Sequence, residues 1–230
     1  MAMRFCFAAC FGLALIAAPS TVLADDEIYS GPFYMCPDAH GADQKALFRI
    51  IDITRMPMRI EGRGPQRIDG YAASLAASRT AEIMTKKDPI AEAFERLAGT
   101  TTTMSADKRR LAAVCFATTP PPKEDIDGPF VFMPGYLMES SVDVLQPLDT
   151  ITIPAQTYLV LTYQGPTSGI GDMRFTMSEE FWPKVAPFLG LERVDGPNLM
   201  IWSPGLNGSE GEASLEFWTP IKPYPISPRQ

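Results

Sequence analysis

Two periodicities divide the chain. Ile153 to Tyr163 (IPAQTYLVLTY) is a dense β-branched and aromatic run closed by Gly165-Pro166, and it reads as a strand. Asn198 to Ser203 (NLMIWS) and Ala213 to Ile221 (ASLEFWTPI) read the same way, joined by a glycine-rich loop over 204–212. Earlier, Leu111 to Thr118 and Pro129 to Glu139 are strands separated by the turn-rich TTPPPKEDIDG. Leu47 to Ile60 is a further strand, bent at Pro57, because a proline cannot donate to a ladder and belongs at an edge or bulge. The helical period appears at Ile90, Ala93, Phe94 and Leu97, which share one face at i, i+3, i+4 and i+7. Asp88 can cap that helix, Pro89 suits its first turn and Gly99 follows its end. Tyr71 to Met84 (YAASLAASRTAEIM) is rich in alanine without Pro or Gly, so it is expected to be helical. Ile170 to Trp182 predicts another helix, ending at Pro183 because proline disfavours helical geometry in the residue before it.

The order is strand, helix, strand, strand, and then the same again. No residue-level repeat accompanies it. Such a chain predicts an α+β fold in which two β-α-β-β units build one antiparallel sheet system with helices packed on one side.

The first residues carry a separate signal. Arg4 precedes the apolar run FCFAACFGLALIAA from Phe5 to Ala18, and Pro19-Ser20 breaks that run before Val22-Leu23-Ala24. A span needs roughly 20 apolar residues, so this run suits a secretory signal cleaved after Ala24 better than an anchor. Residues 1–24 are therefore expected to be a signal peptide and the protein periplasmic or secreted, with no membrane association after cleavage. The alternative is an uncleaved anchor. Residues 25–45 form an irregular, polar arm, and 223–230 a short tail.

Charge excludes one class of partner. The chain has 20 Lys+Arg against 27 Asp+Glu, a net −7, and loss of Arg4 makes it −8. Lys86-Lys87 and Lys108-Arg109-Arg110 are short clusters flanked by Asp88 and Asp107. Nucleic acid is not an expected partner. With the signal removed, Cys36 and Cys115 are the two remaining cysteines; in an exported chain they suggest one disulfide, the alternative being two thiols. His40 is the only histidine, and it lies in the arm, so no metal site and no Ser-His-Asp triad is expected. Neither a phosphate loop nor a dinucleotide fingerprint occurs, and no cofactor is expected.

The second half carries a resemblance. IPAQTYLVLTYQGP (Ile153 to Pro166), a helix ending FWP (Phe181 to Pro183), GPNLMIWSP (Gly196 to Pro204) and SLEFWTPIK (Ser214 to Lys222) arrive in the order found in the GyrI-like effector-binding domain. That module binds small molecules in AraC-type and MerR-type regulators and also occurs alone. The first half matches less sharply, through FRIIDITRMPMRIEGRG and the strands near Val114 and Met133-Pro134-Gly135. The resemblance covers residues 46–222. It departs from the family pattern at Gln156 (usually Gly), Tyr163 (usually His) and Leu199-Met200, where an acid usually precedes the aromatic.

The resemblance implies a ligand cleft between the repeats with an acid at its floor. Here that acid is Glu216, which shares a strand face with Trp218 while Leu215 and Phe217 point the other way. The bland alternative is an exposed acid on a half-solvated sheet. Trp218, Tyr158 and Tyr163 are the accompanying aromatic candidates, whereas Trp182 and Trp202 are expected to be structural. The expected function is binding of an amphipathic ligand, a cation included. One alternative is hydrolysis of cyclopropane-type electrophiles with Glu216 as general base, which is the only catalytic role the residues offer. A haem-binding, SOUL-like role ranks last because no histidine lies in the matching region. The arm is too short for a helix-turn-helix, so signalling would need a separate protein partner.

Overall fold

A computed structural model describes residues 28–36, 48–75, 89–100, 110–120, 130–138, 148–207 and 211–223. The described residues form ten strands: β1 (Ile28–Tyr29), β2 (Met58–Arg63), β3 (Gln66–Gly70), β4 (Ala73–Leu75), β5 (Arg110–Phe116), β6 (Phe130–Met138), β7 (Asp149–Ile153), β8 (Gln156–Pro166), β9 (Asn198–Asn207) and β10 (Glu212–Pro220). Two α-helices accompany them, α1 (Pro89–Gly99) and α2 (Gly169–Thr176). The sheet order is β1-β7-β3-β6-β5-β9-β10-β8-β2, with β4 also on β6, and every pairing is antiparallel except β1 on β7.

That order has a mirror-like rhythm about its centre. β5 and β9 lie side by side, followed outward by β6 and β3 in one direction and by β10 and β8 in the other. Each half is thus strand, helix, strand, strand, with its last strand between the other two. The two β-α-β-β units of the sequence are the two halves of one sheet.

The halves also exchange strands. β2 pairs with β8 and β7 pairs with β3. Arg63 faces Gln156 and Gln66 faces Ile153, so one register runs through both ladders. Residues 58–70 and 149–161 therefore form a single long antiparallel pair, bent where Gly64-Pro65 opposes Pro154-Ala155. Because each of these stretches contributes to both ends of the sheet, the strand order closes on itself.

Three sequence expectations need correction. Residues 73–75 are strand, not helix; Asp149 accepts the Ala72 amide at 2.7 Å and β4 pairs with β6, so tertiary pairing overrides alanine's weak helical preference. Asp88 and residues 76–88 lie outside the described residues. The run 47–60 is not one strand: Ile53–Arg55 is a 3-10 turn capped by Asp52, and β2 begins only after Pro57. The third helix does not stop at Pro183. It continues as a π-helical stretch, Met177–Val185, and a 3-10 turn, Ala186–Leu189.

Strand alternation sorts the core into two faces. One face presents Leu159, Leu161, Leu215, Phe217 and Trp202 to Ala93 and Leu97 of α1 and to Met173, Met177 and Phe181 of the second helix. The other packs Tyr158, Val160, Trp218, Leu199, Ile201, Val114 and Ile68 among themselves. Each fully buried aliphatic or aromatic side chain is worth ~1.5–3 kcal/mol, so both faces drive folding. Among the described residues no helix is long and apolar enough to cross a membrane.

Candidate ligand-binding cleft

The two halves meet on the helix-covered face where β5 lies against β9, Ala113 facing Met200 and Cys115 facing Asn198. A cleft opens over this seam. It is lined by Ala113, Cys115 and Phe132 from the first half and by Met177, Trp182, Asn198, Leu199, Met200, Phe217, Trp218 and Thr219 from the second, with Cys36, Arg174 and Arg193. The space between these walls is about 550 Å³, its open mouth included. Small-molecule sites are likewise concave and combine apolar walls with a few placed polar groups.

Local sequence explains how each wall is set. Cys36 and Cys115 are joined by a disulfide, with Cα atoms 5.4 Å apart, so the covalent link fixes the arm against β5 at one end of the cleft. Trp182 stands in the π-helical turn. There the Ala186 amide reaches back to the Phe181 carbonyl, and the widened turn accommodates Pro183, which has no N–H to give. The ring of Trp182 meets Phe181 edge-on at 5.1 Å and lies under the Arg193 guanidinium at 5.3 Å. Gly190, at φ 68°, takes the left-handed conformation that ends the 3-10 turn and leads the chain to Arg193. Gln156 hydrogen-bonds the Asp195 carbonyl at 3.0 Å and lies where a Cβ on Gly196 would stand, so Gly196 must be glycine for the loop into β9 to close. The buried Oδ1 of Asn198 has no hydrogen-bond partner among the described residues.

The residues singled out from the sequence do not converge here. Trp218 reaches the cleft only where its strand passes between Phe217 and Thr219, its indole lying on the opposite face; Tyr158, Tyr163 and Glu216 are not among the lining residues. Tyr158 is buried in the opposite face, edge-on to Trp218 at 5.6 Å, and burial pushes its phenol well above the usual range. Tyr163 donates to the Pro166 carbonyl at 2.7 Å and packs against Gly165 and Gly169, holding the turn from β8 into α2.

Glu216 shares the face of Tyr158 and Trp218, as alternation predicts, and that face lies across the sheet from the cleft. There its carboxylate meets Arg59 at 2.8 Å and Arg110 at 3.5 Å and accepts the Trp218 indole N–H at 3.1 Å. Arg59 and Arg63 also pair with Glu61 and stack toward Trp218, at 5.4 and 4.9 Å. Three guanidiniums, two carboxylates and an indole thus share this patch.

Trp182, expected to be structural, instead stands in the cleft wall, and both charged cleft residues were missing from the candidates. Arg174 interrupts an otherwise apolar stripe of Ile170, Met173, Met177 and Phe181, and a charge at i+4 of such a stripe is the sign that would have found it. Arg193 carries no comparable sign, because it belongs to a loop. Among the described residues no group of histidine, cysteine, aspartate and glutamate is placed to hold a metal ion; His40 lies outside them.

Solved structures share this architecture. A Staphylococcus aureus MU50 protein assigned to transcription regulation is 16% identical, with a TM-score of 0.51 over 73% of this chain and 99% of its own. An integron cassette protein from Vibrio cholerae is 14% identical, with a TM-score of 0.51 over 72% of this chain and 95% of its own. The fold is GyrI-like. A third similar structure, the SAV2435 protein bound to tetraphenylphosphonium, is 17% identical with a TM-score of 0.48 over 73% of this chain and 94% of its own. No family model and no curated protein matches the chain.

Proposed function

We propose that this protein is an exported small-molecule-binding domain that takes an amphipathic ligand into the cleft between its two halves. The observation that carries the reading is the cleft itself, open at its mouth on the helix-covered face of the β5–β9 seam, where apolar side chains from both halves are joined by Arg174, Arg193, Asn198 and Thr219. A disulfide in its wall and the signal-like residues 1–24 support action outside the cytoplasm. Glu216, the base that the hydrolytic alternative requires, is held by two arginines on the far face, so binding is the better-supported role.

Thermal-shift screening of the chain beginning at Asp25 tests this, with a panel of dyes, lipophilic drugs and neutral or charged amphiphiles. A ligand at a hundred times its Kd adds ~2.7 kcal/mol, which raises the Tm of a domain this size by about 5–10 °C. Trp182→Ala should abolish the shift given by a true hit. A hit that is fully retained in that variant contradicts the cleft as its site. Mass analysis of protein recovered from the periplasm or medium should give a chain starting at Asp25, and an intact Met1 in membranes contradicts export.

A further inference from the structure

The charge lining the cleft has the opposite sign to that of the whole molecule. The chain carries a net −7, yet the charged residues among the described lining are Arg174 and Arg193, and no carboxylate lies among them. Arg174 is set there by the helix, at the i+4 position of the stripe that buries Ile170, Met173 and Met177 against the sheet. Arg193 lies over Trp182, where the indole face supports one side of its guanidinium.

Each of these guanidiniums engages other groups of the chain. A guanidinium has five N–H donors on a rigid planar fork, so it can bond a ligand while it keeps a bond to the chain. Beside them Phe132, Met177, Trp182, Met200, Phe217 and the disulfide are apolar and lower the local dielectric, with Asn198 and Thr219 as neutral polar neighbours. A positive pair over such walls draws an anion more strongly than the same pair would in open water.

We infer that the cleft selects an amphipathic anion, an aromatic or aliphatic body bearing a carboxylate or sulfonate that faces Arg174 and Arg193. The inference rests on the reading of this cleft as a binding site and reverses the sign of ligand that the sequence suggested through Glu216. The apolar body lies between Phe132, Met200, Phe217 and Trp182, where flat or branched hydrocarbon replaces water. The acid group sits toward the mouth, where the planar forks match its two or three oxygens. Asn198, on the same wall, offers its unbonded Oδ1 to a hydroxyl or amide N–H elsewhere on the ligand.

Tetraphenylborate and tetraphenylphosphonium separate the questions, since they have the same four phenyl groups around a central atom and opposite charge. Isothermal titration of the disulfide-bonded chain with the sodium salt of the one and the chloride of the other should show the borate binding at least tenfold tighter. The preference should shrink as NaCl rises from 0.1 to 1 M. Arg174→Met and Arg193→Met keep apolar stems while removing the charge. In the double variant the two ions should bind within about twofold of each other, and each single variant should fall between. Should the double variant fail to fold, Arg174→Gln alone must still lower the ratio several-fold. Equal or tighter binding of the phosphonium to the wild type overturns the anion inference while leaving the cleft a binding site. A borate preference that survives both arginine changes overturns it too, by placing the selectivity elsewhere. Failure of both ions to bind removes the cleft reading itself.

Discussion

A carboxylate on a central strand is costly to bury alone, and at Glu216 the cost is met by Arg59 and Arg110. Glu216→Gln keeps the shape and the indole hydrogen bond but weakens both ion pairs. Since the arginines are partly exposed, solvent screening limits the loss to ~1–2 kcal/mol in urea denaturation. Affinity for any cleft ligand should stay within about twofold. A tenfold fall in affinity at unchanged stability would put the acid at the ligand after all. The sequence made the pairing of Glu216 with Trp218 legible, because period-two alternation is a local property. It could not tell which face held the cleft, because Leu215 and Phe217 make the other face equally apolar. Tyr158 gives a second test at this scale. Its phenol is held protonated by burial, so the folded-state pKa is raised above the unfolded one. The corresponding stability is fully present below the unfolded value near ~10 and is lost as pH rises through the folded value. Phenolate absorbance should show one tyrosine that titrates only with unfolding, a signal missing in Tyr158→Phe. A Tyr158 that titrates near pH 10 in the folded protein would contradict this.

Elements were read well where one period dominated and poorly where tertiary contacts decided. β5, β6, β9 and β10 fall close to the expected runs, and α1 shows its four-residue apolar face. β3 and β4 were not legible. They follow a single register along β6, Gly70 facing Gly135 and Ala73 facing Phe132, but are split opposite Pro134, which gives no N–H to the ladder. Gly70 and Gly135 approach so closely that a side chain on either would strike the other strand's backbone. The helix that passes Pro183 is a similar case, since a π turn admits a proline that an α turn excludes. The disulfide belongs to this scale because it ties the arm to β5 across a separation of 79 residues. Replacing both Cys36 and Cys115 with Ser should cost ~4 kcal/mol in the chain-entropy account. Chemical denaturation of the variant checks this, and a loss below about 1 kcal/mol would mean that the arm is held mainly by Tyr34, whose backbone bonds Ala117 at 2.9 and 3.1 Å, and by the packing of Phe33 against Phe116 at 5.0 Å.

For the whole molecule, duplication of the β-α-β-β order produces a seam, and the exchange of β2 and β7 between halves keeps that seam from sliding. A binding cleft at such a seam draws walls from both halves without breaking either core. Its position followed from the element order, whereas its charge followed from Arg174 and Arg193, which the sequence patterns did not bring together. Three indoles make the central claim measurable, because Trp182 stands in the cleft wall, Trp202 packs against Phe94 of α1 with ring centres 6.0 Å apart, and the Trp218 indole bonds Glu216 on the opposite face. Indole N–H resonances of the 15N-labelled protein, followed while tetraphenylborate and tetraphenylphosphonium are added in turn, report the site directly. Binding in the cleft predicts that at least one of these ions shifts Trp182 saturably along a single binding curve, with Trp202 and Trp218 moving much less. A saturable shift confined to Trp202, or indoles unmoved by either ion, would contradict it.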